Sequence, residues 1–91
     1  MMEGRKRQLT GGDAVVQAYV LIQTEAGRAA SVSAELAKLA GAISAHVVTG
    51  PYDVIARVEA GTIDALGTLV VARIQAVGGI TRTLTCPIVR L

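Results

Sequence analysis

Three groups of residues in this chain carry side chains able to do chemistry. The first is the run Thr49-Gly50-Pro51-Tyr52-Asp53, which sits between two apolar, β-branched stretches. Gly tolerates φ > 0 and Pro presets φ near −65°, so Gly50-Pro51 marks a turn. Asp is depleted from strands, yet Asp53 stands directly before Val54, Ile55 and Ala56; it either caps the turn or serves a ligand. The second group is Thr81, Thr83 and Thr85, whose alternation places their hydroxyls on one side of a strand. Taken alone, Thr83 and Thr85 are better accounted for by ordinary β propensity. The third is Arg57 and Glu59, two residues apart on the outward face of another strand. They pair across a dimer or remain solvated charges. His46 is the single histidine and has no Cys nearby in sequence, so it is a surface or interface residue rather than a ligand or base. Cys86 is a small side chain on an edge strand; no His accompanies it in a nucleophile motif. One cysteine excludes an internal disulfide, and no Cys/His cluster suggests a metal. No cofactor is expected.

These residues must be positioned by a small body. Ninety-one residues allow one domain, and a chain this short is marginal as a monomer. It has no Phe and no Trp, so Val, Ile, Leu and Ala build the core. Hydrophobic residues make up 52% and charged residues 18%, more apolar surface than one small domain hides, which points to self-assembly. The net charge is +2, and Arg5, Lys6 and Arg7 sit in the leader; the near-neutral body argues against nucleic-acid binding. No run is long enough to span a bilayer and no signal-type apolar region opens the chain, so a cytoplasmic location is expected.

Residues 1–13 read as a flexible polar leader and residues 14–91 as the domain. Ala14–Thr24 is a strand with Val16, Ala18, Val20 and Ile22 on one face and Gln17, Tyr19, Leu21 and Gln23 on the other. Glu25–Ala40 is a helix with Ala29, Val32, Ser33, Leu36, Leu39 and Ala40 on its buried stripe, stopped by Gly41. Ala42–Thr49 is a second strand, with Ile43, Ala45 and Val47 inward. A third, Tyr52 to about Glu59, pairs with it as a hairpin, with Val54, Ala56 and Val58 inward. Thr62 caps a second helix running to about Val77, whose stripe is Ile63, Leu66, Val70, Ile74 and Val77. Gly78-Gly79 stops it. Ile80–Arg90 is the last strand, and Pro87 places it at an edge. The order β-α-β-β-α-β predicts a ferredoxin-like α+β fold, with strand order 4-1-3-2 and both helices on one face. The other face, carrying Tyr19, Leu21, Val48 and Ile55, is expected to pack on a second subunit as a dimeric α/β barrel.

From about Val16 to Leu91 the chain resembles the effector-binding domain of the Lrp/AsnC (feast/famine) regulators. The resemblance rests on Thr49-Gly50-Pro51-Tyr52-Asp53, on the Leu-Val-Val-Ala-Arg-Ile-Gln-Ala-Val-Gly-Gly run, and on Ile80-Thr81-Arg82-Thr83-Leu84-Thr85 with Ile88-Val89. Pro51 at the variable turn position and the Cys86-Pro87 break depart from the pattern. The resemblance implies a homodimer through the sheet, dimers assembled into a ring such as an octamer, and amino-acid effectors held between dimers near the turn. It implies no catalytic activity. The chain is expected to lack the family's DNA-binding helix-turn-helix and to act with a full-length regulator, without touching DNA or membrane itself.

A free amino acid needs a carboxylate for its ammonium, and hydroxyls or N–H groups for its carboxylate. On this reading Gly50 allows close backbone approach, Tyr52 walls the pocket and Asp53 binds the ammonium. Thr83, Thr85 or the Thr62 helix start orients the other end. The other reading of Tyr52, and the one its residue type favours, is a packing residue in a subunit interface. The alternative function is a small cofactor-free monooxygenase-type enzyme using the space between sheet and helices, although that space is lined mostly by Ala, Val and Leu. A purely structural oligomerisation module is the third reading. An ACT-type domain shares the topology, but its ligand turn follows the first strand.

Overall fold

The computed structural model describes residues 15–91; the leader expected over 1–13 lies outside them. The elements are β1 (Val16–Thr24), α1 (Ala29–Ala37), β2 (Ala42–Val47), β3 (Val54–Ala60), α2 (Ile63–Thr68) and β4 (Ile80–Pro87). The helix of α2 runs on through a wider-turned segment, Leu69–Ile74. All strand pairs are antiparallel and the order across the sheet is β2-β3-β1-β4. This is the ferredoxin-like arrangement expected from the alternation of elements, with the Pro87 strand at one edge.

The core follows from the pairing. Ala18, Val20 and Ile22 of β1 lie beside Val58, Ala56 and Val54 of β3, and all six are buried beneath the helices. Val32 and Leu36 come down from α1, and Leu66, Leu69, Val70 and Ile74 from the second helix. This aliphatic layer supplies the apolar burial that holds the sheet to its helices.

Several local expectations are corrected. The first helix opens at Ala29, not Glu25. Gly27 takes φ +78° and the Arg28 N–H donates to the Glu25 carbonyl at 3.0 Å, which makes a separate turn. The helix also ends at Ala37, so Ala40 falls in the connecting turn and is exposed.

In β2 the inward alternation fails at Ile43. Ala42 pairs with Val58 and Ser44 with Arg57, so Ile43 is an extra residue, 41% exposed. The Glu59 N–H donates to the Gly41 carbonyl at 2.8 Å and pins the start of the strand. One extra residue is then needed to bring Ala45 opposite Ala56. The hairpin itself forms, but its strands stop at Val47 and start at Val54, leaving a six-residue loop, 48–53, rather than a tight turn.

In the second helix Ile63 is 58% exposed and Leu69 is buried. The Gln75 N–H donates to the Val70 carbonyl at 3.0 Å, a step of five residues that widens the last turns. Gly67 and the β-branched pair Val70-Val71 favour α-helix poorly, and such widening recurs where the regular ladder is weakened. It brings Leu69 inward beside Val70. The last strand ends at Pro87 rather than Arg90, with one further backbone bond beyond it, from the Ile88 N–H to the Gln17 carbonyl at 2.8 Å.

The N-cap forms as expected: the Thr62 hydroxyl accepts from the Ala65 N–H at 3.0 Å. Thr62→Ala is expected to cost about 1 kcal/mol, read as a lower urea midpoint with an unchanged slope.

Candidate functional site

The loop 48–53 is held from three directions. The Val48 N–H donates to the Asp53 carbonyl at 2.9 Å and closes it. The Asp53 N–H donates to the Ile22 carbonyl at 2.9 Å. The Asp53 carboxylate then reaches past its own strand: Oδ2 accepts from the Thr24 N–H at 2.8 Å and from the Thr24 hydroxyl at 3.4 Å. Gln23 Nε2 adds a bond to the Pro51 carbonyl at 3.1 Å. The Asp53 carbonyl therefore closes the loop, while its carboxylate clamps the loop to the end of β1. A charge-assisted bond to a backbone N–H is among the stronger hydrogen bonds, so the loop is a fixed feature of the sheet's end.

Gly50 adopts φ +145°, which explains glycine at this position. Beyond its two chain neighbours, no atom lies within 4 Å of where a Cβ would sit, so its backbone is open to approach from outside. Pro51 is exposed, and Tyr52 and Asp53 are half-buried. The loop thus presents an aromatic ring, a carboxylate and an uncovered glycine backbone on a rigid support.

Thr83 and Thr85 are placed elsewhere. Thr83 pairs with Ile22 and Thr85 with Val20, so both hydroxyls lie on the helix-covered side of the sheet. They line an open cleft of about 370 Å³ between α2 and β4, with Ile63, Val71, Gln75 and Pro87 among its walls. Gln75 Nε2 donates to Thr83 Oγ1 at 3.0 Å. Gln75 was not singled out from the sequence. It is an exposed polar residue late in a helix, and only the long-range pairing of β4 reveals its partner.

The cleft shares no lining residue with the loop. Asp53 and Thr83 flank β1 on opposite sides, two strand spacings or roughly 10 Å apart. Thr62 lies at the far end of β3, roughly 20 Å along the strand from Asp53, and its hydroxyl is already engaged by the helix. One free amino acid cannot join these groups within a single protomer.

The space between helices and sheet, lined by Leu36, Leu39, Ala56, Val58, Leu69 and Ile74 among others, has no room for a water molecule. Among the described residues no group of three or more His, Cys, Asp or Glu stands together. No helix among them is long and apolar enough to cross a membrane.

Comparison with known proteins places this geometry. The model of the Lrp/AsnC ligand binding domain matches residues 17–90, which takes in the clamped loop, both helices and the threonine strand. The chain belongs to the Lrp/AsnC ligand-binding domain family. This Lrp/AsnC domain is 28% identical over 54 residues to an uncharacterised HTH-type transcriptional regulator of Pyrococcus furiosus. That match covers 59% of this chain and 36% of the regulator, so it spans about a third of the relative's length. A solved protein of Thermus thermophilus superposes with a TM-score of 0.78 at 30% identity, covering 84% of this chain and 95% of that one. A transcriptional regulator of Neisseria meningitidis, solved as a complex with L-Met, shares the fold with a TM-score of 0.73 at 14% identity. It covers 94% of this chain and 58% of its own. The Lrp/AsnC domain is thus the ligand-binding part of a transcription-regulator family.

Proposed function

We propose that this Lrp/AsnC domain senses an amino acid or a related small molecule, at a site that the clamped loop of one copy forms together with the threonine cleft of another. The observation that carries the reading is the Asp53–Thr24 clamp. It holds a carboxylate, an aromatic ring and an open glycine backbone rigidly at the end of the sheet. Oδ2 is engaged by Thr24, which leaves Oδ1 to face an ammonium group. Gln75, Thr83 and Thr85 offer amide and hydroxyl groups to a carboxylate. The separation of the two sets within one protomer favours a site between copies. The L-Met bound by the Neisseria meningitidis regulator supports an amino acid as the ligand class.

Copies assemble through the open sheet face, where Tyr19 and Leu84 are 44% and 45% exposed beside Leu21 and Ile55. Higher assembly through the loop and cleft would build a ring of dimers. The domain acts on transcription with a full-length regulator of the same family, inside the cytoplasm, rather than as an enzyme.

The test is thermal unfolding against the twenty amino acids, with Asp53→Asn beside the parent. The amide oxygen of Asn can still accept from the Thr24 N–H, so the clamp survives while the charge is lost. A ligand at a hundred times its dissociation constant is expected to stabilise the parent by about 2.7 kcal/mol, and this gain is expected to vanish in Asp53→Asn. A gain kept in the variant moves the ammonium site elsewhere. No gain with any amino acid removes the amino-acid reading and leaves assembly as the favoured role.

A further inference from the structure

On the open sheet face the strands present their side chains in rows. Ser44, Arg57, Tyr19 and Cys86 form one row across β2, β3, β1 and β4. His46, Ile55, Leu21 and Leu84 form the next. Glu59 and Gln17 lie on the other side of the Arg57 row. Arg57 stands on an inner strand, flanked by Ser44 and Tyr19, and its Nε is shut from water with no hydrogen-bond partner. A buried donor of a charged group left without an acceptor is costly.

No carboxylate of the same chain fills this need among the described residues. Glu25 pairs with Arg28 and Glu35 with Lys38, both on the helix side. Asp64 lies in the first turn of α2, and Asp53 is held by Thr24. Glu59 is on the same face, and Gln17 Nε2 donates to its Oε1 at 3.3 Å, which leaves Oε2.

We propose that Arg57 pairs with Glu59 of the partner subunit when a second copy covers this face, and that the reciprocal pair makes the face selective for its own kind. The inference rests on the sheet-face assembly proposed above. In a two-fold contact, if one residue meets a second, the second meets the first, so two ion pairs form together. Arg57 and Glu59 are two residues apart on one strand, roughly 6.7 Å, within reach of one another when two such strands cross in opposite directions. A sheet face without this cation-anion order would leave both Arg57 side chains without a carboxylate, which disfavours a foreign partner.

The experiment measures dimer dissociation by sedimentation for the parent, Arg57→Glu, Glu59→Arg, and an equal mixture of the two single variants, with circular dichroism confirming the fold. Each single variant opposes like charges twice and is expected to weaken the dimer by roughly tenfold or more. The mixture sets Glu against Arg at both contacts and is expected to restore it. Singles that dimerise like the parent, or a mixture that stays dissociated, overturn the pairing while leaving sheet-face assembly standing. A parent that is monomeric at all concentrations overturns both. If a single variant does not fold alone, co-expression of the two with one tagged reads the same pairing. Recovery of tagged–untagged pairs supports it and their absence overturns it.

Discussion

Ile22→Ala is expected to destabilise the domain by about 2–5 kcal/mol. Ile22 is fully buried, midway across the sheet between Val54 and Thr83. Its removal deletes apolar contact and leaves a cavity that an aliphatic core without large aromatic rings is poorly placed to refill. A domain of this size has a total stability of only several kcal/mol, so the loss is a large share of it. Ile22→Val, which removes one methylene, is expected to cost about 1 kcal/mol. Urea unfolding at fixed protomer concentration measures both, because self-assembly couples stability to concentration. The Ile22 carbonyl also receives the Asp53 N–H. Faster amide exchange at Asp53 and Thr24 in Ile22→Ala would show that the core supports the clamp; unchanged exchange there would show that the loop is held by its own bonds.

Gly41→Ala is expected to cost about 2–4 kcal/mol, from backbone strain and a clash acting together. Gly41 adopts φ +94°. A Cβ there would lie 2.9 Å from the Glu59 carbonyl oxygen and 2.9 Å from Leu69 Cδ2. The leucine can swing away, but the carbonyl belongs to β3, whose Glu59 N–H is bonded to Gly41 itself. Gly27→Ala is the control, because Gly27 has φ +78° with nothing within 4 Å of the added carbon. It is expected to lose only about 1 kcal/mol, from left-handed backbone alone. Equal urea midpoints for the two variants would remove the steric part of the explanation.

The order of elements and the strand order were legible because strong signals agreed. Alternation in β1 and β3, the Gly78-Gly79 stop and the proline in β4 all point the same way. The β2 bulge was not legible, because Ala42 and Ala45 are small and Ile43 is the bulkiest residue at the start of that strand. What expels Ile43 is the bond from Glu59 to Gly41, a long-range contact that local alternation cannot register. The widened helix hid for a similar reason: a stripe at Leu66, Val70 and Ile74 reads as regular whether or not Leu69 joins it. For the candidate site, the turn and Asp53 stood out by composition. Their anchor did not, since Thr24 lies 29 residues away and is an ordinary strand residue until the fold brings it there.

The bulge in β2 and the proline in β4 occupy the two outer strands of the sheet. A sheet rich in aliphatic residues invites fibre growth wherever a straight outer strand offers an unbroken row of N–H and C=O groups to a neighbour. Here one side is kinked by Ile43 and the other is cut short at Pro87, whose nitrogen has no proton to give. A concentrated solution of this domain is therefore expected to resist strand-by-strand aggregation better than its composition alone suggests.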